Sequence, residues 1–500
     1  MDSQEAVALN PESTDPAITP PREMDKSLAH SLAWRAATNW GSQLLAWASL
    51  FVVVRLLAPA DFGIAAMSMV LVPYLRYLGE FGIPQTVVTL RDLSNDQLAQ
   101  LNTIGVLLGL AAFTASLGLA YPLAWFFRTP ALVLVVIITC LQLIPQGLRA
   151  VPEGLLNKDL RFGLLSWTEA IRAVVAAVAT LVMAYLGYGY WALVWGNLIG
   201  TLVRTAIIIG ARPFRFAWPQ LRGMQKALTF GWHVVVSVIA WSAYERLDNV
   251  TAGRVLGQAA LGAYALAWNL ANVPLEKVTS LVTTIIPSYF AAVQTEPAEL
   301  RRYLRTLTEA LAVATFPATI GLALIAHELV PLAMGQKWEA VVGPLEVLSV
   351  YVAFRSVVAL LPKVLTAVGN ARFVMWNDLA ALIILPTSFY IGSHWGIRGI
   401  AWGWVAAYPF VALPLYWKTF KTISMQVSDY LRALHPALNC TLAMAVVVGL
   451  VKMALPDRES LLLRLILEVL IGTAAYGGTL WLLYRERVMS FYRIAKSFRN

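Results

Sequence analysis

Long apolar stretches, each of about 20 residues or more, dominate the sequence of this 500-residue chain. A helix needs about 20 mostly apolar residues to cross a hydrocarbon core of about 30 Å. A strand of a membrane barrel would need only about ten, with alternating polarity. The sequence therefore predicts an all-α integral membrane protein with about 14 transmembrane helices. The predicted helices lie at roughly 32–55, 62–83, 101–127, 131–151, 164–185, 190–210, 230–253, 261–286, 306–326, 342–363, 374–393, 398–417, 434–455 and 461–484.

The composition supports a membrane location. Only 13% of the residues are charged and the mean hydropathy is +0.66, which leaves too little polar surface to cover a water-soluble globule. Cys140 and Cys440 lie in apolar runs, so we expect small buried side chains rather than a disulfide. The five histidines are scattered without metal-ligand spacing, so no metal and no cofactor are expected.

The positions of lysine and arginine predict the orientation in the membrane. With a cytoplasmic N-terminus, the cytoplasmic connections carry about 22 of these residues and the opposite side about 7. Both termini are therefore predicted to be cytoplasmic, with residues 1–31 a disordered tail and 485–500 a basic tail. The net charge of +10 is then a signal of topology and of attraction to anionic membrane lipids, not of nucleic-acid binding.

An internal repeat relates the two parts of the chain. RLLAPADFG at 55–63 aligns with RVLGQAALG at 254–262, and GYWALVWG at 189–196 aligns with GIRGIAWG at 396–403. A third pair places Pro152 and Pro362 in step within PEGLLNKDLRF and PKVLTAVGNARF. Each copy holds six predicted helices, an even number, so both copies enter the membrane from the same side and are related by an axis along the membrane normal.

The repeat predicts two six-helix bundles that face each other across a central cleft. Rocking one bundle against the other would expose the cleft to alternate sides of the membrane, which is the mechanism of a transporter. The predicted units are the first bundle at 32–210, a cytoplasmic linker at 211–229, the second bundle at 230–418 and helices 13 and 14 at 433–484.

Charged residues inside the predicted spans are candidates for the cleft, because burying one in the bilayer costs about 2.5–3.5 kcal/mol on insertion scales. Predicted helices 2 and 8, which the repeat aligns, each carry a cation and a carboxylate between two prolines. The charged residues are Arg76 and Glu80 in helix 2 and Glu276 and Lys277 in helix 8. The prolines, predicted hinges because they remove backbone hydrogen bonds, are Pro73, Pro84, Pro274 and Pro287. A local salt bridge near the cytoplasmic interface is the alternative.

Further ionisable residues lie in predicted helices 4, 7 and 10. They are Arg149 and Glu153, then Glu245, Arg246 and Asp248, and finally Arg355 and Lys363. Trp241 and Tyr244 share a helix stripe with Asp248, which suits sugar stacking, although an aromatic belt at the membrane surface would give the same pattern. The cations favour a large anionic headgroup as cargo, since arginine suits phosphate.

Several of these stretches resemble the Wzx-like lipopolysaccharide exporters, in the polysaccharide-transport branch of the multidrug/oligosaccharidyl-lipid/polysaccharide exporter superfamily. The matching stretches are RLLAPADFGIAAMSMV at 55–70, PEGLLNKDLRF at 152–162, GYGYWALVWG at 187–196, LDNVTAGRVLGQAALGAYALAW at 247–268 and AVGNAR at 367–372. They span both halves, whereas helices 13 and 14 match less distinctly. No single stretch is catalytic.

The resemblance implies a bacterial inner-membrane flippase for lipopolysaccharide or exopolysaccharide synthesis. It would move a polyprenyl-diphosphate-linked oligosaccharide from the cytoplasmic to the periplasmic leaflet, with cationic cavity residues at the diphosphate. A polysaccharide polymerase and chain-length proteins are the partners it suggests. The resemblance does not fix which of the candidate cations contacts phosphate. Replacing Arg76 or Lys277 by alanine is expected to abolish export.

Two other functions stay open at this point. A cation-coupled exporter of small drugs, from the same superfamily, would have a carboxylate-dominated cleft. A membrane enzyme would need acid-base groups or a metal on a sizeable outer loop, and the predicted outer loops are short. The sequence also lacks a phosphate-cradling GxxxxGK[ST] stretch, so the chain is not expected to be an enzyme. The membrane potential, a proton or sodium could each drive transport.

Overall fold

The protein is described here from a computed structural model, which is helical in all its regular secondary structure within the described residues. The described residues are 48–90, 92–220, 225, 227–232, 235, 246–282, 296–455 and 460–497.

The N half, residues 48–211, folds into helices that succeed each other through short turns. They are α1 (48–56), α2 (Pro59–Ser68), α3 (Val72–Glu80), α4 (Ile83–Thr89), α5 (Asn95–Phe127), α6 (Leu132–Cys140), α7 (Leu143–Lys158), α8 (Phe162–Tyr185) and α9 (Tyr190–Ala211). Serine at 94 begins α5 as an N-cap, since its hydroxyl accepts a hydrogen bond from the Gln97 amide.

The C half, residues 246–423, repeats this plan. Its helices are α10 (Leu247–Thr251), α11 (Gln258–Val282), α12 (Pro297–Leu324), α13 (Ala326–Met334), α14 (Val342–Val358), α15 (Leu361–Ala367), α16 (Ala371–Ser393) and α17 (Gly396–Ile423). A π-helical turn, Ala252–Leu256, follows α10, and a short 3₁₀ helix, Gln336–Val341, precedes α14. The chain ends with α18 (Val427–Ala454) and α19 (Leu461–Ser497).

Within the described residues, 11 stretches are long and apolar enough to cross a membrane. They coincide with predicted helices 2 to 6 and 9 to 14. The three remaining predictions, 32–55, 230–253 and 261–286, extend into residues outside the described ranges. The all-α membrane fold is therefore confirmed, and the count of fourteen stays a prediction.

Predicted helix 2 is broken twice, and each break precedes a proline. Pro73 lies in the first turn of α3, and Pro84 lies in the first turn of α4 after a left-handed turn at 81–82. Proline is tolerated at these positions because the first backbone amides of a helix need no partner within the helix. Pro274 differs, since it lies inside the continuous helix α11, and Pro287 lies outside the described residues. A hinge function for these prolines stays a prediction.

Glycines that the sequence repeat aligns have the same structural roles in both halves. Gly189 immediately precedes α9 and Gly396 is the first residue of α17, with φ of 55° and 72°, a region that favours glycine. A Cβ on Gly196 would lie 1.9 Å from a threonine hydroxyl of α8, and one on Gly403 would lie 2.8 Å from a serine hydroxyl of α16. The same close packing of consecutive helices therefore recurs at aligned positions of both halves, as the predicted repeat requires, while six helices per copy stay a prediction.

Helices α18 and α19 extend the C half. The ammonium group of Lys452 on α18 lies 2.7 Å from a carboxylate oxygen of Glu328 on α13 and 3.4 Å from one of Glu468 on α19. Helix α19 continues beyond the predicted boundary at residue 484. It bends at Tyr484, where φ is −132°, and runs on to Ser497. Much of the segment predicted as a basic tail is therefore helical.

Residues 213–220 of the linker, which are not helical, lie along the start of α5. The Thr103 hydroxyl donates to the Ala217 carbonyl at 2.8 Å, and the Gln220 amide donates to the Gln100 side chain at 3.0 Å. These contacts fasten the first residues after α9 to the N half. The bounds of the predicted domains stay predictions, and the tail at 1–31 lies outside the described residues.

Candidate functional site

The two halves meet where α2 crosses α11. A Cβ on Gly63 would lie 1.7 Å from the carbonyl oxygen of Gln258, and a Cβ on Gly262 would lie 1.9 Å from that of Pro59. The repeat aligns these two glycines, and each contacts the backbone of the other half. We call this contact the glycine crossing. Because no side chain fits between the backbones, the crossing seals the interface at the end of the molecule where α1 ends, the Arg55 end.

A chamber of about 970 Å³ lies between the halves. Its lining positions extend away from the Arg55 end along α2 to Val70, two residues after that helix, and along α11 to Glu276. Helices α6 and α9 complete the wall of the N half, and α14, α15 and α17 that of the C half. The predicted central cleft is therefore present, and it is closed at the Arg55 end.

The two walls of the chamber differ in charge. The described ionisable residues that line it all belong to the C half: Arg246, Glu276, Arg355 and Lys363. The N half contributes uncharged polar side chains instead: Ser68, Thr139, Gln142 and Asn197. Three cations against one carboxylate give the chamber a positive potential, which favours an anionic ligand.

Four of the eleven predicted binding residues thus line the chamber. Six others are described but do not line it: Arg76, Glu80, Arg149, Glu153, Asp248 and Lys277. Glu245 lies outside the described residues. Direct contact of these side chains with a ligand stays a prediction.

Arg355 is held by an amide and an aromatic ring. Its guanidinium donates to the Asn272 side-chain oxygen at 3.4 Å and lies 5.9 Å from the ring centroid of Trp268. Trp268 packs in turn against Trp404, with centroids 5.2 Å apart, and against Tyr351 at 6.0 Å. Such neighbours fix the direction of the guanidinium, and an arginine oriented in this way can bind phosphate through two parallel hydrogen bonds.

Asp248 is buried behind the chamber wall. Its side chain accepts hydrogen bonds from the Tyr264 hydroxyl at 2.9 Å, the Trp404 indole at 3.1 Å and the Asn249 amide at 2.7 Å, and the residue is 0% exposed. Charge-assisted donors of this kind are what a buried carboxylate needs. Two aromatic residues do accompany Asp248, but they come from α11 and α17. The predicted partners Trp241 and Tyr244 lie outside the described residues.

Several charged residues of the N half form ion pairs with one another. Glu153 lies 3.0 Å from the guanidinium of Arg149 and 2.7 Å from that of Arg204, which also lies 3.2 Å from Glu169. Glu80 is close enough to interact electrostatically with both arginines. We call these residues the N-half ion-pair network. Both guanidinium groups therefore have a carboxylate partner in their own half, and the network is internal to the N half.

Sequence reasoning missed the uncharged polar side chains of the chamber. Asn269 and Asn272 line it from α11, and their spacings of three and four residues place them on one helix face with Glu276, which was predicted. That stripe within an apolar helix was the available signal. Trp268 and Tyr408 add aromatic surface to the same wall.

A helical membrane protein with two repeated bundles around a central polar chamber is a two-lobed transporter. A sequence model of the family described as polysaccharide biosynthesis protein matches residues 52–343. This match covers more than half of the chain, and the protein belongs to that family. Family membership confirms the resemblance predicted from the sequence, and the relatives described next, which include a transport protein, confirm a transporter rather than an enzyme.

Curated relatives support the assignment along most of the chain. An uncharacterized membrane protein in the cps region of Klebsiella pneumoniae is 25% identical over 461 residues, covering 90% of this chain and 94% of that protein. Lipopolysaccharide biosynthesis protein WzxC of Escherichia coli (strain K12) is 25% identical, covering 71% and 73%. Succinoglycan biosynthesis transport protein ExoT of Rhizobium meliloti (strain 1021) is 22% identical, covering 90% and 91%.

Solved structures share the fold. Lipid II flippase MurJ in an inward closed conformation superimposes with a TM-score of 0.73 at 15% identity, covering 91% of this chain and 100% of that one. An inward-facing multidrug resistance MATE family transporter of the MOP superfamily gives a TM-score of 0.61 at 14% identity, covering 76% and 94%. Both likenesses confirm the predicted exporter fold.

Proposed function

We propose that the protein is a flippase that moves a polyprenyl-diphosphate-linked oligosaccharide across the bacterial inner membrane by alternating access. The observation that carries this proposal is the charge of the C-half wall of the chamber. Arg246, Arg355 and Lys363 line this wall, and Glu276 is the one carboxylate among the described residues that line it. A diphosphate carries the charge that this wall would attract. The names of WzxC, ExoT and the probable flippase AglR of Haloferax volcanii agree with it.

The chamber suits the headgroup of such a lipid. Its volume of about 970 Å³ lies at the upper end of the range of about 300–1,000 Å³ for pockets of small ligands. A diphosphate and the first sugars would fit inside, and the polyprenyl chain would stay in the bilayer. The amides of Asn269 and Asn272 offer donors and acceptors for sugar hydroxyls, and Trp268 and Tyr408 offer apolar ring surface.

The direction of transport follows from the proposed orientation. If both termini are cytoplasmic, the Arg55 end is periplasmic, and the glycine crossing closes the chamber on that side. The lipid would then enter from the cytoplasmic leaflet, and the broken helix with Pro73 and Pro84 would bend as the halves rock. The exported lipid would supply a polysaccharide polymerase and chain-length proteins. The membrane potential, protons or sodium would drive the cycle.

Gene deletion followed by lipid analysis tests this function. We expect polyprenyl-linked glycan to accumulate on the cytoplasmic leaflet of cells without the gene, because its synthesis continues while its export stops. Complementation with the intact gene should restore the normal distribution. An unchanged distribution of the glycan lipid, together with increased sensitivity to small cationic drugs, would instead favour the multidrug exporter.

A further inference from the structure

Two arginines that the repeat aligns reach across the interface at the Arg55 end. Arg55, near the end of α1, donates from Nε to the Ala333 carbonyl at 2.9 Å and from a second guanidinium nitrogen to the Leu332 carbonyl. Arg254, in the π-helical turn before α11, donates to the Phe126 carbonyl at 2.7 Å. Each arginine therefore belongs to one half and binds the backbone of the other.

The acceptors correspond as well as the donors. Leu332 and Ala333 lie in the last turn of α13, and Phe126 lies in the last turn of α5. The last carbonyls of a helix have no partner within the helix and carry the negative end of its dipole, so a cation is a suitable cap. The pair of contacts is thus reciprocal, as the pseudo-two-fold relation of the halves requires.

Additional contacts between the halves surround Arg55. The Trp338 indole donates to the Val54 carbonyl at 2.8 Å, and the Lys337 ammonium donates to the Arg55 carbonyl at 2.7 Å. The guanidinium of Arg254 also lies 5.3 Å from the ring centroid of Phe126. The glycine crossing follows closely in sequence, since its two carbonyls, Pro59 and Gln258, each lie four residues after one of the arginines. A rocking motion that opened the Arg55 end would have to break the two arginine contacts together.

We propose that Arg55 and Arg254 are positioning residues that latch the Arg55 end closed while the chamber is loaded from the other end. The latch sets the balance between the two open states, because its hydrogen bonds exist only when the halves meet at this end. It rests on the transporter fold and is independent of the cargo.

Thiol labelling of the chamber from each side of the membrane tests the latch. Asn269→Cys, an exposed chamber position, would report access in a background with Cys140 and Cys440 changed to alanine. We expect Arg55→Ala and Arg254→Ala each to raise labelling from the Arg55 side about tenfold by an impermeant maleimide, and the double variant about a hundredfold. Labelling from the opposite side should fall.

Arg398→Ala is the matched control. Arg398 is an exposed arginine like Arg55, but its guanidinium lies 3.5 Å from the Glu346 carboxylate, and both of these residues belong to the C half. Its loss should leave labelling from both sides unchanged. Arg55→Gln serves as a second variant that keeps a side-chain donor and most of the volume, should Arg55→Ala fail to reach the membrane.

Unchanged labelling in the double variant, at normal expression and thermal stability, would overturn the latch. The same holds if Arg398→Ala produced an equal increase, since the effect would then not depend on a contact between the halves. Labelling from intact cells and from inverted vesicles separates the latch from the proposed orientation, because a reversed protein would show the increase from the cytoplasmic side. Neither readout requires the flippase substrate, so failure of the proposed function would leave this result intact.

Discussion

The two halves share one fold but use their charged residues differently. In the N half, Glu153 follows a proline and pairs with Arg149 and Arg204. In the C half, the aligned position after the equivalent proline is Lys363, which lines the chamber. At this aligned position the N half has a carboxylate within its ion-pair network, whereas the C half has a cation that lines the chamber.

The comparison indicates that the two halves use their charged residues for different purposes. The N half keeps its ion pairs internal, so it offers the chamber a neutral polar wall. The C half directs Arg246, Arg355 and Lys363 at the chamber. We therefore expect substitutions at matched positions to damage transport in the C half and stability in the N half.

The largest effect is expected for the cations of the C-half wall. Changing both Arg355 and Lys363 to alanine should lower glycan-lipid export at least about a hundredfold, because each charge-assisted contact to phosphate contributes about 1.5–3 kcal/mol. Export would be measured in the deletion strain by polysaccharide yield. Arg302→Ala, which removes an exposed ion pair with Glu299, is the control and should leave export normal. Normal export by the double variant would remove the C-half wall from the mechanism.

The next largest effect is expected in the N-half ion-pair network. Glu153→Ala leaves two largely buried guanidinium groups without this partner, and breaking a buried pair on one side costs about 3–5 kcal/mol. The midpoint of thermal unfolding in detergent should fall markedly. Lys363→Ala, the matched change in the C half, should leave that midpoint nearly unchanged. Equal losses of stability in the two variants would refute the proposed difference between the halves.

The sequence predicted the features that depend on position along the chain. Apolar length predicted the membrane helices and the repeat predicted two bundles, whereas the contact of the aligned glycines Gly63 and Gly262 between the halves came only from the structure. The sequence also located Arg246, Arg355 and Lys363 of the chamber wall. These predictions succeed because the height of a residue in the membrane follows from its place in the helix.

The direction in which a side chain points was harder to predict than its height in the membrane. Arg149, Glu153 and Asp248 were expected in the chamber, but Arg149 pairs with Glu153 within α7, Glu153 also binds Arg204 on α9, and Asp248 binds Tyr264 on α11. Helices surrounded by other helices and lipid are apolar on most faces, so periodicity does not show which face borders the chamber. Only the packing of several helices separates a ligand-facing charge from a structural one.

A smaller effect is expected at the glycine crossing, and it should be equal in both halves. Gly63→Ala and Gly262→Ala each place a methyl group against backbone of the other half, which cannot move aside as a side chain would. We expect each to lower the free energy of unfolding by about 1–3 kcal/mol and to raise chamber labelling from the Arg55 end. Gly118→Ala in α5 is the control, since open space surrounds it. A strong asymmetry between the two variants would contradict the reciprocal contact.

The smallest effect concerns Asp248, a carboxylate that the C half keeps internal. Tyr264→Phe removes a hydrogen bond to Asp248 without changing the shape of the ring, so the free energy of unfolding should fall by about 1 kcal/mol and export should persist. Trp404 still donates to the same carboxylate, which limits the loss. Unfolding and export would be measured on the same preparations. Loss of export at unchanged stability would show instead that Asp248 takes part in the transport cycle, as a cation-coupling residue would. Transport would then depend on an internal charge of the C half as well as on the charges of its chamber wall.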